Sequence, residues 1–234
     1  MGLGPKCIIF DDFTDVSDLT LNGTAMTTTA NGRNVLRLTS AGINQDGSAF
    51  TSDALPVSRG FCTSFAFQMT DAGGFGDDDG PGADGIVFIV QSSSNTALGE
   101  GGGGIGYLGI PKSAGVEFDT FFNDEENIDD PNGNHVGVDL NGSVKSVVVS
   151  LIADRLNNGN VWFAWVDYSP KTQLLEVRLS TTSFRPVKPT VTYKVDLQAV
   201  IGSKNAYVGF SASTGLGYEN QDILFWEFCT PRCP

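Results

Sequence analysis

The sequence predicts an all-β protein with the architecture of a β-sandwich, and three observations support that fold class. About a dozen short segments combine apolar, β-branched and aromatic residues over the length of a strand. Turn-forming residues separate these segments, and glycine is abundant at 29 of 234 positions. No stretch keeps a helical period of apolar residues over a useful length. Many short strands joined by turns are typical of one sandwich with large sheets.

The first third of the chain contains the earliest predicted strands. Residues 61–69 read FCTSFAFQM, and their alternation directs Phe61, Phe65 and Phe67 towards a core. None of the segments in this part of the chain has a helical period. Shorter strands are predicted at residues 7–13, 19–21, 35–38, 49–50 and 55–57.

The remainder of the chain continues the pattern around two glycine-rich loops, at residues 71–84 and 92–106. Residues 86–90 read IVFIV, an apolar run of strand length. Residues 161–168 and 173–180 are predicted to form a hairpin, because a turn sequence, SPKT, separates two strand-like segments. Further strands are predicted at residues 107–110, 116–122, 136–140, 147–152, 191–197, 207–212 and 223–228.

The charge balance excludes two classes of partner. The formal net charge is −13, and the 14 lysines and arginines form no basic cluster that could follow a phosphate backbone. We therefore expect no binding to nucleic acid. No run of 18 apolar residues occurs, so direct insertion into a membrane is not expected either.

The four cysteines favour disulfide bonds. They stand at positions 7, 62, 229 and 233, without the spacing of a metal-binding motif. Three pairings are possible for four cysteines, and the residues alone do not select one. Disulfides indicate an oxidising compartment, so we expect an extracellular or cell-surface location for a secreted chain.

The segment at residues 117–135, EFDTFFNDEENIDDPNGNH, concentrates the residue types that bind metal ions. If it begins as a strand, Glu117 and Asp119 point to the same face. Carboxylates and the Asn123 amide oxygen suit a hard cation such as calcium. His135, the single histidine of the chain, extends the choice to manganese or another first-row metal. The alternative interpretation is a solvated acidic loop.

A series of segments, taken in order along the chain, resembles a known family. They are LTLNGTA (19–25), VLRLTS (35–40), SAFTSDALPV (48–57), TSFAFQM (63–69), GADGIVFIVQ (82–91), GVEFDTFFN (115–123), DPNGNHVGVDLN (130–141), VGFSASTG (208–215) and DILFWEF (222–228). Together they resemble the L-type lectins, namely the legume lectins and their bacterial relatives. The resemblance implies a concanavalin-A-like jelly-roll β-sandwich of two large antiparallel sheets, with residues 1–234 as a single lectin domain. It also implies metal-dependent, non-catalytic binding of glycans or glycoconjugates, for recognition or adhesion.

The resemblance implies two adjacent metal ions. The transition metal, usually manganese (Mn²⁺), would be held by Glu117, Asp119, Asp130 and His135. Calcium (Ca²⁺) would be held by Asp119, the carbonyl of Phe121, Asn123 and Asp130. Ser146 resembles a residue that contacts a metal-bound water.

The chain departs from the family pattern just before Asp130. Two extra residues stand between Asn123 and Asp130, and Asp129 therefore competes with Asp130 for the role of ligand. We prefer Asp130, because the Asp-Pro pair and the five-residue step to His135 both match the family.

The resemblance also implies a sugar site. Asp84, after a cis peptide bond from Ala83, would accept hydrogen bonds from two sugar hydroxyls, and Asn123 would donate one from its amide. A backbone N–H from residues 101–106 would add a contact, for which we select Gly104. The carbohydrate-binding residues expected in total are Asp84, Gly104, Phe121, Asn123, Gly215, Leu216, Gly217 and Tyr218. Phe121 would lie under the apolar face of the sugar, and its alternative role is core packing.

Two other functions compete with a lectin. Laminarinase-type glycoside hydrolases share the sandwich and use a Glu-x-Asp-x-x-Glu pattern. Here Glu117 and Asp119 are present, but the second glutamate is replaced by phenylalanine at positions 121 and 122. The third possibility is an adhesive module whose sugar site has decayed, although Asp84 and Asn123 argue against decay.

Several features remain open at the level of the sequence. The run of aspartates at 77–79 is interpreted as a solvated loop or as an additional calcium contact. Sugar specificity, of the mannose/glucose or galactose type, is undecided. The family's use of its flat back sheet for oligomers implies a possible homo-oligomer, and this chain could be one domain of a larger surface protein. The fold implied by the resemblance places the first and last strands side by side, so we expect Cys7 to pair with Cys229 or Cys233.

Overall fold

Two antiparallel sheets of eight strands each lie face to face and enclose the main core. The structure is a computed structural model that describes residues 6–231. We call the two layers the back sheet and the front sheet. The all-β sandwich predicted from the sequence is confirmed.

The strands are Lys6–Phe10 (β1), Leu19–Gly23 (β2), Met26–Ala30 (β3), Arg33–Thr39 (β4), Asp46–Thr51 (β5), Leu55–Pro56 (β6), Phe61–Gly74 (β7), Gly76–Asp77 (β8), Gly80–Pro81 (β9), Gly85–Gln91 (β10), Ser113–Asp119 (β11), His135–Leu140 (β12), Val148–Leu151 (β13), Val161–Ser169 (β14), Leu174–Ser180 (β15), Val191–Lys194 (β16), Asn205–Ser213 (β17) and Gly217–Thr230 (β18). A 3₁₀ turn spans Gly102–Gly104, and Leu197–Ile201 forms helix α1. Strands β8 and β9 form a separate small hairpin.

The back sheet has the order β16-β15-β14-β7-β18-β4-β3. Strand β18 is its centre, because β7 pairs along one side of it while β4 and then β1 pair along the other. The hairpin predicted around residues 169–172 is present as β14 and β15. The back sheet thus brings both ends of the described chain into one layer.

The front sheet has the order β13-β12-β11-β10-β17-β5-β2, with β6 added beside the start of β17. Strands β10, β11 and β12 are nearly continuous in burial, so both of their faces are covered. One face contacts the back sheet, and the other lies beneath long loops. The candidate functional residues lie on this outer, loop-covered face.

Aromatic side chains join the two sheets. Phe65 on β7 meets Phe118 on β11 and Phe210 on β17, with ring centroids 5.7 and 5.0 Å apart. Phe210 in turn contacts Trp226 on β18 at 5.0 Å. Each such side chain contributes about 2–3 kcal/mol through burial. The alternation of apolar residues in these strands is therefore the sequence feature that holds the layers together.

A second, smaller apolar cluster covers the outer face of the front sheet. Val87 and Ile89 on β10 contact Ile105, Tyr107 and Ile110 from the loop above them. The prediction of a strand at residues 107–110 is wrong, because these residues form turns. Tyr107 is buried as a lid on the sheet, and its hydroxyl accepts hydrogen bonds from Ser113 and from the Gly142 backbone. This lid holds the glycine-rich loop above the sheet.

Helix α1 replaces the end of a predicted strand. The strand expected at residues 191–197 stops at Lys194, where β16 ends. The carboxylate of Asp196 accepts a hydrogen bond from the backbone N–H of Ala199 at 3.1 Å, which caps the N-terminus of the helix. Neither helical segment among residues 6–231 is long or apolar enough to cross a membrane.

Cys7 and Cys229 form a disulfide across the β1–β18 pair, where they are direct partners. This is one of the two pairings expected for Cys7. The alternative partner, Cys233, lies outside the described residues. The bond closes a loop between residues 222 positions apart and so joins the first strand to the last.

Removing this disulfide should destabilise the fold. Because the bond closes a very long loop, we expect the C7S/C229S variant to lose about 2–5 kcal/mol of unfolding free energy. Substitution is preferable to reduction, because Cys62 is also disulfide-bonded. Urea titration of both proteins measures the difference. An unchanged unfolding midpoint would contradict a stabilising role for the bond.

Candidate functional site

The acidic side chains of β11 lie on the outer face of the front sheet. Phe118 points into the core, so Glu117 and Asp119 on either side of it point away, as the sequence predicts. Both carboxylates are almost completely buried. Gly137 is the cross-strand partner of Glu117, and a methyl group there would approach the Glu117 carboxylate to 2.3 Å. The missing side chain at Gly137 therefore leaves room for the acid.

His135 begins the neighbouring strand and lies opposite Asp119. Its Nδ1 is 2.9 Å from the carbonyl of Asn132, which can only accept, so Nδ1 carries the proton. Nε2 therefore faces Glu117 Oε1 at 3.1 Å and Asp130 Oδ1 at 3.9 Å. Burial by itself lowers the pKa of His135, but the hydrogen bond to Glu117 and the charges of Glu117 and Asp130 outweigh it and raise the pKa. A neutral imidazole nitrogen is a common metal ligand, so this nitrogen has the chemistry that a metal site needs.

The structure places Asp130, and not Asp129, beside this cluster. Asp129 points to solvent and pairs with Lys145 at 2.8 Å. Asp130 Oδ2 instead accepts a hydrogen bond from the backbone N–H of Asn123 at 2.9 Å, while the Asp130 N–H donates to the Asn123 carbonyl at 3.0 Å. This reciprocal pair closes the loop between β11 and β12. It accommodates the two extra residues without displacing Asp130 from His135.

The cluster contains an excess of hydrogen-bond acceptors. The metal-binding atoms of Glu117, Asp119 and His135 lie within 4.8 Å of one another. Four buried oxygens in or beside the cluster have no hydrogen-bond partner, namely Asp84 Oδ2, Glu117 Oε2, Asn123 Oδ1 and Asp139 Oδ2. Burial, followed by the charges of Asp130 and Glu117, raises the pKa of Asp119. Burial also brings the pKa of Asp130 to about 7, although the charge of His135 and the hydrogen bond from the Asn123 N–H oppose the rise. Oxygen acceptors with one imidazole nitrogen fit divalent cations, so the residues present match the expected metals.

Asp139 belongs to this cluster, although sequence reasoning assigned it no role. It is fully buried on β12, on the same face as His135. The hydroxyl of Ser146 is 2.9 Å from Asp139 Oδ1 and 2.8 Å from Glu117 Oε1, but its single proton can satisfy only one of them. Burial and the neighbouring Glu117 raise the pKa of Asp139. The four-residue step from His135 to Asp139 in a strand was the signal that could have found it.

Asp84 is held from both sides by the backbone. The Ala83–Asp84 peptide bond is cis, as the resemblance implies. The Asp84 N–H donates to the Ser213 carbonyl at 3.0 Å, and its carbonyl accepts from the Thr120 N–H at 3.1 Å. Burial, followed by the charge of Glu219, raises the pKa of the Asp84 carboxyl to about 8, partly opposed by a hydrogen bond from the Gly215 backbone. The structure thus presents a fixed carboxyl with one unpartnered oxygen.

The glycine-rich loop passes directly beside Asn123. A methyl group on Gly103 would lie 2.7–2.8 Å from the side-chain amide of Asn123, so only glycine permits this approach. Gly104, selected from the sequence, is buried, and its N–H already donates to the Gly101 carbonyl at 3.1 Å. Within this loop the structure therefore places Gly103, rather than Gly104, next to Asn123.

The four expected sugar-binding residues at positions 215–218 divide into two pairs. Gly217 and Tyr218 are the first residues of β18 and are paired with β7, so they belong to the back sheet. Gly215 and Leu216 form the turn before it, and Leu216 is 67% exposed. Gly215 lies near Asp84, since a methyl group on it would be 3.6 Å from Asp84 Oδ2. Among these four residues, Gly215 is therefore the one that borders the Asp84 carboxyl.

Phe121 is partly exposed and lies outside the described core clusters. Its N–H donates to Asp119 Oδ1 at 2.9 Å, which keeps its backbone beside the acidic cluster. Its ring contacts that of Phe75, whose side chain is 61% exposed, at a centroid distance of 6.0 Å. Phe75 was not found from the sequence, because a single aromatic residue in a glycine-rich loop carries no periodic signal.

The first residue of the aspartate run at 77–79 is hydrogen-bonded to the loop between β11 and β12. Asp77 Oδ2 accepts a hydrogen bond from the Phe122 N–H, and Oδ1 accepts one from the Asp79 N–H, both at 2.8 Å. A methyl group on Gly133 would approach Asp77 Oδ2 to 1.8 Å, so the carboxylate lies against that glycine. Asp77 thus stabilises the loop between β11 and β12 through its contacts with Phe122 and Gly133.

Comparison with known proteins identifies the family. A family model described as the legume lectin domain matches residues 8–232. The chain belongs to the legume lectin family. Among solved structures, peanut lectin in complex with a nine-residue peptide superposes with a TM-score of 0.78 at 26% identity over 97% of each chain. Lectin UEA-II complexed with galactose gives a TM-score of 0.77 at 28% identity over 95% of this chain and 97% of its own. The predicted family, sandwich fold and carbohydrate-binding class of function are therefore confirmed.

Sequence relatives include much longer proteins. A probable L-type lectin-domain containing receptor kinase, I.2, of Arabidopsis thaliana is 33% identical over 222 residues, which cover 85% of this chain and 32% of the relative. This legume lectin chain thus spans about a third of the length of that relative.

The pH dependence of stability offers a test of this buried cluster. The pKa values of Asp84 and Asp130 are raised from 3.8 to about 8 and about 7. Between about pH 4 and pH 8 the native state therefore keeps protons that the unfolded chain has released. Stability of the metal-free protein should fall as pH rises through this window, by about 1.4 kcal/mol per pH unit for each such proton.

Urea titrations in chelator at pH 5, 6, 7 and 8 measure this slope. The D139N variant keeps the size of the buried side chain but cannot ionise, so its loss of stability with pH should be shallower. A profile that is flat or rises with pH in the unmodified protein would contradict the burial of uncompensated acids.

Proposed function

We propose that this chain is a non-catalytic, metal-supported glycan-binding domain whose sugar site lies between Asp84 and Asn123. One observation supports this most directly: both residues present an unpartnered buried oxygen beside the same glycine loop. Gly103 contacts the Asn123 amide, and a methyl group on Gly215 would lie 3.6 Å from Asp84 Oδ2 and 3.7 Å from the Cα of Gly102. The two side chains therefore flank one short backbone segment.

The acidic cluster would hold two cations. We propose Glu117, Asp119, Asp130 and His135 for a transition metal such as Mn²⁺, and Asp119, the Phe121 carbonyl, Asn123 and Asp130 for Ca²⁺. Bound cations would supply positive charge that offsets the buried carboxylates. In the chain itself, the hydrogen bonds between Asn123 and Asp130 already position the loop for this purpose. Ser146 would orient a water at the transition metal.

The sugar would be held by groups of complementary polarity. Asp84 Oδ2 would accept from sugar hydroxyls, while the Asn123 amide nitrogen and the Gly103 N–H would donate. The partly exposed rings of Phe121 and Phe75 offer an apolar surface for the carbon face of the ring. Leu216 borders the site with an exposed apolar side chain. Lectin UEA-II, which was solved with galactose, makes a hexose a suitable first probe.

We propose that the domain does not catalyse a reaction. The carboxylates that resemble a hydrolase motif are turned towards His135 and the backbone N–H of Phe121. Both are almost completely buried, which leaves them poorly placed to receive a water and a glycosidic bond. Any kinase activity named for the longer relatives would belong to parts of those proteins that this chain does not match.

We further propose an extracellular or cell-surface location, because a disulfide that joins the first and last strands requires an oxidising compartment to form. The receptor-kinase relatives support the same location. We propose that the chain forms one lectin domain, since a single core joins both sheets. A homo-oligomer through the back sheet remains a proposal from the family resemblance.

Binding of simple sugars tests the proposal. Calorimetry with methyl glycosides of mannose, glucose and galactose, in excess Ca²⁺ and Mn²⁺, should detect one of them. Chelation should abolish that binding and metal should restore it. The D84N variant should bind roughly 10–100-fold more weakly, because a hydrogen bond to a charged acceptor contributes about 1.5–3 kcal/mol.

The D222N variant is the matched control, since Asp222 is a buried acid that pairs with Arg37 and lies outside the site. It should bind like the unmodified protein. Binding that is indifferent to chelator would contradict the role of metal. Release of reducing sugar from a β-glucan would overturn the non-catalytic function.

A further inference from the structure

Glu219 is a second buried acid near the sugar site, and it lies behind the site rather than in it. It is completely buried on β18, one residue after Tyr218. Among the described residues, no lysine or arginine forms an ion pair with it. Its carboxylate is instead surrounded by uncharged donors, which is an expensive arrangement unless those donors are fixed. Neither the metal cluster nor the proposed sugar contacts use this group.

Three side chains donate to the two oxygens of Glu219. Thr120 Oγ1 donates to Oε1 at 3.0 Å, and Gln221 Nε2 lies 3.4 Å from the same oxygen. Asn157 Nδ2 donates to Oε2 at 2.8 Å. The hydroxyl of Thr39 donates to Gln221 Oε1 at 2.6 Å, which turns the amide nitrogen of Gln221 towards Glu219. Both carboxylate oxygens are therefore satisfied.

Each of these three donors also bonds the segment that carries Asp84. Asn157 Nδ2 reaches the Pro81 carbonyl at 3.3 Å, and Gln221 Nε2 reaches the Ala83 carbonyl at 3.5 Å. The backbone N–H of Thr120 donates to the Asp84 carbonyl at 3.1 Å. Three of the four carbonyls in the segment 81–84 are thus held by residues that converge on one carboxylate.

Gly82, the remaining residue of the segment 81–84, lies directly against Glu219. A methyl group on Gly82 would approach Glu219 Oε2 to 2.6 Å and Asn157 Nδ2 to 2.7 Å. Gly82 also has a φ of +102°, a conformation that other residues avoid. The segment therefore rests on the carboxylate, with no side chain between them.

We propose that Glu219 is a positioning residue that fixes the segment 81–84, and with it the Asp84 carboxyl, for glycan binding. The positioning rests on the geometry of the segment, while its consequence for affinity rests on the proposed function of Asp84. Glu219 acts through Thr120, Asn157 and Gln221 and touches no glycan itself. It also ties Asp84 to Thr120, the residue after Asp119, so one carboxylate connects the sugar-binding segment to the metal-binding strand.

The E219Q variant removes the acceptor role of Glu219 while keeping the volume of the buried side chain. Glutamine fills the same space but presents an amide nitrogen in place of one acceptor oxygen. That nitrogen would face either the Asn157 amide nitrogen or the Thr120 and Gln221 donors, and one set must turn away. If Asn157 turns, the Pro81 carbonyl keeps only its hydrogen bond from Arg155 Nη2 at 3.2 Å. If Gln221 turns, its bond to the Ala83 carbonyl is lost. E219A removes both acceptors and should have the larger effect.

Amide hydrogen exchange tests the positioning without any sugar. The Asp84 N–H donates to the Ser213 carbonyl, and the Thr120 N–H donates to the Asp84 carbonyl. Their exchange is to be measured in protein saturated with Ca²⁺ and Mn²⁺. Both amides should exchange at least about tenfold faster in E219Q, because local opening becomes easier. Calorimetry with the methyl glycosides should show affinity at least about tenfold weaker, with the heat capacity and stoichiometry unchanged.

D222N is again the matched control, because it removes a buried charge from the same strand without contacting the segment 81–84. Any general loosening of the back sheet appears in both variants, whereas the effect at Asp84 and Thr120 should appear only in E219Q. Unchanged exchange at these two amides, or equal acceleration in D222N, would overturn the proposal. If E219A fails to fold, E219Q still decides it.

The two proposals can fail separately. If the unmodified protein binds none of the methyl glycosides while E219Q loosens Asp84, the proposed sugar site is in error but the positioning stands. If E219Q binds glycoside normally and its Asp84 and Thr120 amides stay protected, the sugar site stands and the role of Glu219 is overturned.

Discussion

The constraint on which this structure depends is the burial of many carboxylates on one face of the front sheet. Glu117, Asp119 and Asp139 are almost completely removed from water, in a chain whose formal net charge is −13. A buried carboxyl group must remain protonated, accept hydrogen bonds from nearby donors or bind a cation. The loops above the sheet are arranged around that requirement: backbone N–H groups reach some oxygens, and the others are left for a divalent ion.

The glycine-rich loops follow from the same constraint. Gly137 leaves space for the Glu117 carboxylate, and Gly103 brings the backbone against Asn123. At these two positions a side chain would collide with the acid or with the amide, so the backbone itself borders the cluster. The proposed metal cluster and the proposed sugar site therefore share Asn123.

The sequence predicts the parts of this molecule whose determinants are local. Alternation within β14 and β15 is visible in a few residues, and the acidic residues of the segment 117–135 are close together in the sequence, so both features could be singled out. Glu219 could not, because its donors Thr120 and Asn157 are 99 and 62 residues away. Tyr107 was wrongly predicted to lie in a strand, because its apolar neighbours in the sequence resemble those of a strand. They do not reveal that Tyr107 packs from a turn onto the outer face of the front sheet. The sequence also gives no sign of the 3₁₀ turn at Gly102–Gly104, in which the Gly104 N–H already donates to the Gly101 carbonyl.

The pairing of β1 with β18 has a practical consequence for how the domain can be immobilised or labelled. Lys6 pairs with Thr230, whereas the sugar-side turn precedes Gly217 at the other end of β18. The 14 residues of β18 span the distance between these points, which is roughly 40 Å at the usual rise per residue. A tag, a surface linker or a fluorescent label placed at either end of the described chain is therefore directed away from Asp84. Immobilised in this way, the protein presents its proposed sugar site to solution.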